Sequence, residues 1–325
     1  MYILGVESTA HTFGVGIVTD KGKVLANAKD SFKTETGGMI PDQVAAHHKE
    51  VAPIILEQAF KQAKLTWKDI KFIAYSAGPG LDPALWTGYH IVKEWAKEHN
   101  KEIVGVNHCC AHLSIGKIVN KAKDPIYLYV SGVNTQVIVQ ENGTYYVLGE
   151  TLDIGLGNMF DKLGRVMGLG FPAGPVMDKI AAEKKGKYIE LPYIVKGMDV
   201  SFSGLLTKAE QLYKQKKATV EDLCYSIQET SYAMCIEVVE RGIANTGKKE
   251  LILVGGVGAS KRFCEMLQIM CNERKAIFYN VPMDLAGDQG AMIAWEGFLR
   301  SKYSKEKVKK YGDASVQPHW RADEV

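Results

Sequence analysis

Apolar residues cluster at positions 2–6, give way to a small polar turn, Glu7-Ser8-Thr9-Ala10, and resume over 12–18. A second turn, Asp20-Lys21-Gly22, leads into a further apolar stretch from Lys23. Short apolar runs bounded by turn residues predict strands, so the chain opens as a strand meander. The same order returns at 126–130, through Ser131-Gly132-Val133-Asn134 to 135–139, a turn at Glu141-Asn142-Gly143, and a strand over 144–148. In that setting Asn142-Gly143-Thr144 reads as a hairpin turn rather than a glycosylation site. Longer helical stretches follow each meander, and Pro41 suits the first position of a helix running to Gln62. A third strand, 251–254, runs into Gly255-Gly256-Val257-Gly258-Ala259-Ser260 and then a helix to about Met270. Two halves that each begin with a meander predict a duplicated α/β architecture with a cleft between them.

Length and composition narrow the class. A chain of 325 residues is enough for about two domains with substantial cores. No apolar run approaches the roughly 18 residues of a membrane span, which predicts a soluble chain with no membrane partner. Six cysteines with no CxxC pair and no amino-terminal signal pattern fit a reducing, cytoplasmic setting. Net charge is +3, too close to balance to imply nucleic-acid binding by itself. Residues 300–310 are locally basic, with Tyr303 and Tyr311 nearby, and read either as a solvated terminal face or as a phosphate-backbone contact.

The sharpest chemical feature is Asn107-His108-Cys109-Cys110-Ala111-His112, directly after a predicted strand over 103–106. If the segment is helical, His108 and His112 stand one turn apart on one face, where two imidazoles can grip a metal ion. The pair needs a third ligand from elsewhere. Zinc peptidases of the HExxH type place a glutamate after the first histidine, and Cys109 stands there instead, which disfavours that chemistry. Asp288 precedes an apolar helical stretch, where a carboxylate serves as helix cap or as ligand.

Residues 153–179 hold six glycines ahead of a helix whose first turn is expected to carry Asp178. That density suits a ligand-contacting loop, with Asp161 and Asp178 as acceptors for ribose hydroxyls, although Asp178 equally suits a helix start. Gly255 and Gly256 form a nucleotide-facing turn or an ordinary tight strand-to-helix turn.

Together these motifs resemble one family, the tRNA N6-adenosine threonylcarbamoyltransferases, the archaeal and eukaryotic catalytic subunit of the KEOPS complex, formerly labelled O-sialoglycoprotein endopeptidase. The resemblance also runs through Gly5-Val6-Glu7-Ser8-Thr9-Ala10-His11, Ala77-Gly78-Pro79-Gly80-Leu81, residues 128–136, residues 153–158 and residues 196–206. It implies an α/β, two-lobed, actin-like and Hsp70-like ATPase (ASKHA) fold with a central nucleotide cleft. The lobes are expected at 1–122 and 123–294, with residues from about 295 to 325 packing back onto the first. The implied reaction moves the threonylcarbamoyl group from threonylcarbamoyl-AMP to the exocyclic amine of the adenosine beside the anticodon, in tRNAs reading codons that start with A. His108, His112 and Asp288, with Tyr129 as a weaker fourth, match the family's metal ligands for one iron or zinc ion. Substrate contacts carry over to Tyr129, Val130, Ser131, Gly132, Val133, Asp161, Gly174, Asp178 and Ser260, and phosphate-facing positions to Glu7, Ser8, Gly255 and Gly256. Implied ligands and partners are threonylcarbamoyl-AMP or ATP, tRNA, a small kinase-like ATPase subunit, and a small dimerising subunit on the amino-terminal lobe. Some archaeal relatives continue into a kinase-like domain, whose linker would begin near Val325. The chain departs from the family at Val133, Ser260, Gly287, Gln289 and Trp86-Thr87, departures expected to weaken nucleotide affinity. An actin-fold ATPase or kinase, or a scaffold subunit, is the alternative.

Overall fold

The computed structural model of the protein describes residues 1–33, 40–183, 186–303 and 315–325. Strands β1 (Tyr2–Glu7), β2 (Thr12–Thr19) and β3 (Val24–Ser31) form the opening antiparallel meander. Helix α1 (Pro41–Ala63), β4 (Ile70–Gly78), α2 (Asp82–Glu98), β5 (Glu102–Asn107) and α3 (His108–Asn120) follow. β4 and β5 add in parallel beside β1, giving the order β3-β2-β1-β4-β5.

The second meander is β6 (Ile126–Val130), β7 (Thr135–Glu141) and β8 (Thr144–Glu150). Its β7–β8 loop is Asn142-Gly143, both left-handed at φ 52° and 88°, as the primed two-residue hairpin requires. Helices α4 (Leu156–Val166) and α5 (Ala173–Glu183), the short ribbon β9 (Val195–Lys196) and β10 (Asp199–Val200), α6 (Ser203–Lys214) and α7 (Val220–Thr246) come next. β11 (Glu250–Val254), α8 (Lys261–Glu273), β12 (Ile277–Asn280), α9 (Met283–Ala286) and α10 (Gly290–Tyr303) complete the order. This sheet runs β12-β11-β6-β7-β8, so both sheets consist of a meander whose first strand is extended by two parallel strands. The repeat legible in the sequence is therefore a repeat of topology.

The chain divides into two compact units, Met1–Val119 with Gly287–Val325, and Asn120–Ala286. Alternation along β1 and β2 builds the first unit. Leu4, Val6, Phe13, Val15 and Ile17 face α1 and α2, while Ile3 and Val18 face α3 and α10. On that second face β1 and β2 also present Gly5 and Gly16, and α10 lies directly on them. A Cβ at Gly5 would stand 2.2 Å from the Ala294 nitrogen, and one at Gly16 2.1 Å from the Ala291 nitrogen. Strand glycine costs about 0.5–1 kcal/mol, which is accepted here because backbone meets backbone. This seating fixes the start of α10 at Gly290, two residues after Asp288. In the second unit one core joins the sheet to α4 through α8. Its longest helix, α7, is bounded by a Thr219–Asp222 capping box and by left-handed Gly247. Among the described residues no helix is long and apolar enough to cross a membrane.

Candidate metal centre and nucleotide-facing turns

Helix α3 begins at His108, so His108 and His112 do share a face one turn apart. Their rings meet edge-to-face with centroids 4.7 Å apart, and both side chains are buried. Asp288 Oδ1 lies 3.3 Å from His112 Nε2 and 3.6 Å from His108 Nε2. One ligand atom from each of the three lies within 4.8 Å of the others. Two imidazole nitrogens and a carboxylate oxygen converging at this spacing fit a divalent transition metal with an open position.

Asp288 is free for this role because it does not cap the following helix. Gln289 does: its side-chain oxygen accepts from the Met292 amide at 3.0 Å, and the residue is fully buried. The cap expected at 288 is thus displaced by one position.

Glu7 and Ser8, the positions expected to face phosphate, are both buried. The Ser8 amide donates to Ser76 Oγ at 2.9 Å, and its side chain fills the space a Cβ on Gly88 of α2 would need. Glu7 ends β1 with Oε2 2.9 Å from His108 Nδ1 and Oε1 accepting from the Thr9 amide at 2.7 Å and the Thr9 hydroxyl at 2.5 Å. A carboxylate on Nδ1 assigns the proton to that nitrogen and leaves Nε2 for the ion. Burial works against the His108 imidazolium, but Glu7 and then Asp288 outweigh it and hold its pKa up at about 9. Burial pushes His112 down, and its bond to Asp288 only partly offsets this. Burial alone would raise Asp288, yet the two histidines hold it well below the usual carboxylate range. Cys109 and Cys110 are buried outside the donor cluster, and burial pushes the Cys110 thiol well up, keeping it neutral.

In the second unit, the turn between β6 and β7 is gripped by the start of α4. The Gly157 amide donates to the Ser131 carbonyl at 3.1 Å and the Asn158 amide to the Gly132 carbonyl at 2.9 Å. A Cβ on Gly155 would stand 2.2 Å from the Val133 carbonyl oxygen. At both glycines the absent side chain lets the backbone of the β6–β7 turn approach closely. Gly168 and Gly170, left-handed at φ 72° and 79°, and Gly174 have open space where a Cβ would be. Tyr129 and Val130 are buried on β6. Val133, one of the departures from the family, is 69% exposed.

Asp161 accepts from the Ala173 amide at 2.7 Å, binding the first residue of α5. Asp178 lies in the second turn of α5 rather than the first. It accepts from Gln228 and, at 3.2 Å, from the Tyr232 hydroxyl. Burial raises its pKa against these bonds and one from Ser260. Ser260 is buried and caps α8 by accepting from the Phe263 amide at 3.3 Å. Gly255 is left-handed at φ 94°, and a Cβ there would meet the Val130 carbonyl oxygen at 2.3 Å, whereas Gly256 borders open space. Most of the basic segment after Arg300 lies outside the described residues. Arg300 itself is buried over the Trp320 ring and is not part of a solvated face.

Two such sheets define an actin-like ATPase-fold protein. Solved structures agree on the fold. Component A of Acidaminococcus fermentans (R)-2-hydroxyglutaryl-CoA dehydratase matches 93% of this chain and 99% of its own at TM-score 0.56 and 13% identity. Full-length HypF in its phosphate- and nucleotide-bound form matches 93% and 56% at TM-score 0.63 and 12% identity. Thermus thermophilus ROK hexokinase matches 93% and 99% at 0.51 and 14%.

Residues 23–295 match the TsaD family, tRNA N6-adenosine threonylcarbamoyltransferase, and the chain belongs to that family. It is 50% identical over 325 residues, all of this chain and 98% of the other, to a protein of that name from Thermococcus kodakarensis. It is 45% identical over 324 residues to a Methanobrevibacter smithii protein named "Probable bifunctional tRNA threonylcarbamoyladenosine biosynthesis protein", spanning 99% of this chain and 59% of that one. The chain is thus an acyltransferase that modifies tRNA.

Proposed function

We propose that the chain transfers threonylcarbamoyl from threonylcarbamoyl-AMP to the exocyclic amine of the adenosine 3′ of the anticodon, position 37, in tRNAs reading ANN codons. Family membership supports the reaction class. The observation that carries the reading further is the convergence of His108, His112 and Asp288 with Glu7 behind His108.

Iron or zinc fits these donors and, when bound, would supply Lewis acidity toward the carbamoyl carbonyl. His108 and His112 would hold it through Nε2, while Asp288 supplies the anionic oxygen. Glu7 keeps the His108 ring in the ligating tautomer. In the second unit the turn backbone at 131–133, Asp178 and Ser260 bind and orient the adenylate. The tRNA amine attacks the carbamoyl carbon, a C–N bond forms, the C–O bond to the phosphate breaks as AMP leaves with its electron pair, and the nitrogen loses one proton to the departing phosphate or to water. Positioning supplies much of the acceleration, and no covalent enzyme intermediate is needed.

The same reading makes the chain the catalytic subunit of a cytoplasmic KEOPS complex, with a small kinase-like ATPase and a small dimerising subunit on the amino-terminal lobe. The bifunctional naming of the Methanobrevibacter relative is in keeping with a second activity close by. The test is transfer of labelled threonine to unmodified tRNA in the presence of partner subunits, bicarbonate, ATP and a threonylcarbamoyl-AMP-forming enzyme. Label on wild-type tRNA and none on tRNA carrying guanosine at position 37 supports the reading. No label where a family relative completes the same mixture overturns it.

A further inference from the structure

We propose that residues 315–322 act as a clasp holding α3, which bears both histidine donors, and α10, which follows Asp288, in register, with Asn107 and Trp320 as positioning residues. The proposal rests on the metal reading above and concerns what fixes the donors.

Asn107 is fully buried and directly precedes His108. Its Oδ1 accepts from the Cys110 amide at 3.1 Å, the geometry of a helix amino-terminal cap. Its Nδ2 donates to the carbonyl oxygens of Trp320 and Arg321, both at 3.1 Å. One side chain thus ties the first turn of α3 to the carboxy-terminal tail. Cys110 Sγ makes a second link, 3.6 Å from the Ala322 carbonyl oxygen.

The tail also reaches α10, the helix that follows Asp288. Trp320 is 8% exposed, and the Arg300 guanidinium of α10 lies 4.7 Å from its ring centroid. α10 begins two residues after Asp288. The tail is itself anchored to β4 and the following turn: the Gln317 amide donates to the Ala77 carbonyl at 2.7 Å, and the Gly80 amide to the Pro318 carbonyl at 3.1 Å. A Cβ on Gly78 would lie 1.8 Å from the Gln317 carbonyl oxygen, so this strand end admits only glycine beneath the tail.

Segments with little regular structure are ordinarily more mobile than the elements they join. This one ends on the cap residue before one metal donor and on the helix that follows another. A cover for the core would need Trp320 but no bonds to the α3 cap. Metal sites are sensitive to groups that orient their ligands, commonly losing about 10–100-fold in affinity when one is removed.

Two variants separate the clasp from general folding. Asn107→Ser retains a helix-capping hydroxyl but is too short to hold the tail, whereas Trp320→Leu keeps the Asn107 bonds to backbone carbonyls and removes the ring under Arg300. Co(II) binding by the full chain is followed by competition titration and visible absorption, with far-UV circular dichroism as the fold check and His112→Ala as the donor-less reference. Both variants are expected to bind Co(II) at least tenfold more weakly, with an altered visible band and native circular dichroism, and Trp320→Phe to restore both readouts toward wild type. Wild-type affinity and spectrum in folded Asn107→Ser overturn the clasp. If that variant does not fold, the same result in Trp320→Leu overturns it. Wild-type protein that binds no Co(II) overturns the metal reading, and the clasp with it.

Discussion

Glu7 Oε2 and His108 Nδ1 stand 2.9 Å apart across 101 positions of sequence, and this contact decides which imidazole nitrogen faces Asp288. The end of β1 and the start of α3 are thereby joined in one chemical unit. Glu7→Gln keeps the volume but removes the charge that holds Nδ1 protonated. Affinity for a divalent metal is expected to fall about 10–100-fold, read by competition with a chromophoric chelator. An unchanged dissociation constant would remove Glu7 from the site.

Gly16 sets the height of α10 over the sheet. In Gly16→Ala the added methyl meets backbone at 2.1 Å, with no flexible side chain to give way. The expected loss is about 2–3 kcal/mol or more by urea unfolding, together with weaker metal retention because Asp288 moves with the helix. A loss within about 0.5 kcal/mol would mean the helix can rise freely.

Gly174 has open space on its Cβ side. Gly174→Ala is therefore expected to keep wild-type stability within about 0.5 kcal/mol while raising KM for threonylcarbamoyl-AMP more than it lowers kcat. An unchanged KM would take this position away from the nucleotide.

Asp153 ties the end of β8 to the start of α6. Its carboxylate accepts from the Ser201 hydroxyl at 2.6 Å and from the Ile154, Phe202 and Ser203 amides at 2.7, 2.9 and 3.1 Å. Burial raises its pKa, but these bonds outweigh burial and bring it down to about 2. The folded value lies below the unfolded one near 4, so this stabilisation is complete above pH 4 and fades as pH falls towards 2. Because the residue is exposed, solvent screening discounts the contribution to about 1 kcal/mol. Asp153→Asn is expected to be less stable by that amount at pH 6, with the gap narrowing at pH 3. A gap constant with pH would contradict the assignment.

Much of this was legible before any coordinates. Periodicity exposed the two meanders, Pro41 opened α1, and the His108–His112 spacing placed both rings on one helical face. Other features were not. The pattern could not say which of the adjacent residues Asp288 and Gln289 caps α10, because both side chains can accept a helix amide. Glu7 sits in a polar turn motif that reads as solvent-facing, and only the pairing of β1 with β4, and of β4 with β5, carries it to His108. Gly155 and Gly157 read locally as part of a ligand-contacting loop, and nothing in the local sequence shows that the β6–β7 turn packs against them. Asn107 resembled a strand end, and its bonds to a tail more than 200 residues away have no local signature.

On the proposal that His108, His112 and Asp288 carry the transfer, the decisive measurement is the initial rate of labelled-threonine transfer to tRNA by Asp288→Ala beside wild type, in the reconstituted system, with folding and tRNA binding verified for both. A fall of about a hundredfold or more, with tRNA affinity unchanged, is the expected result. A variant that folds, binds tRNA and transfers at the wild-type rate would contradict the account.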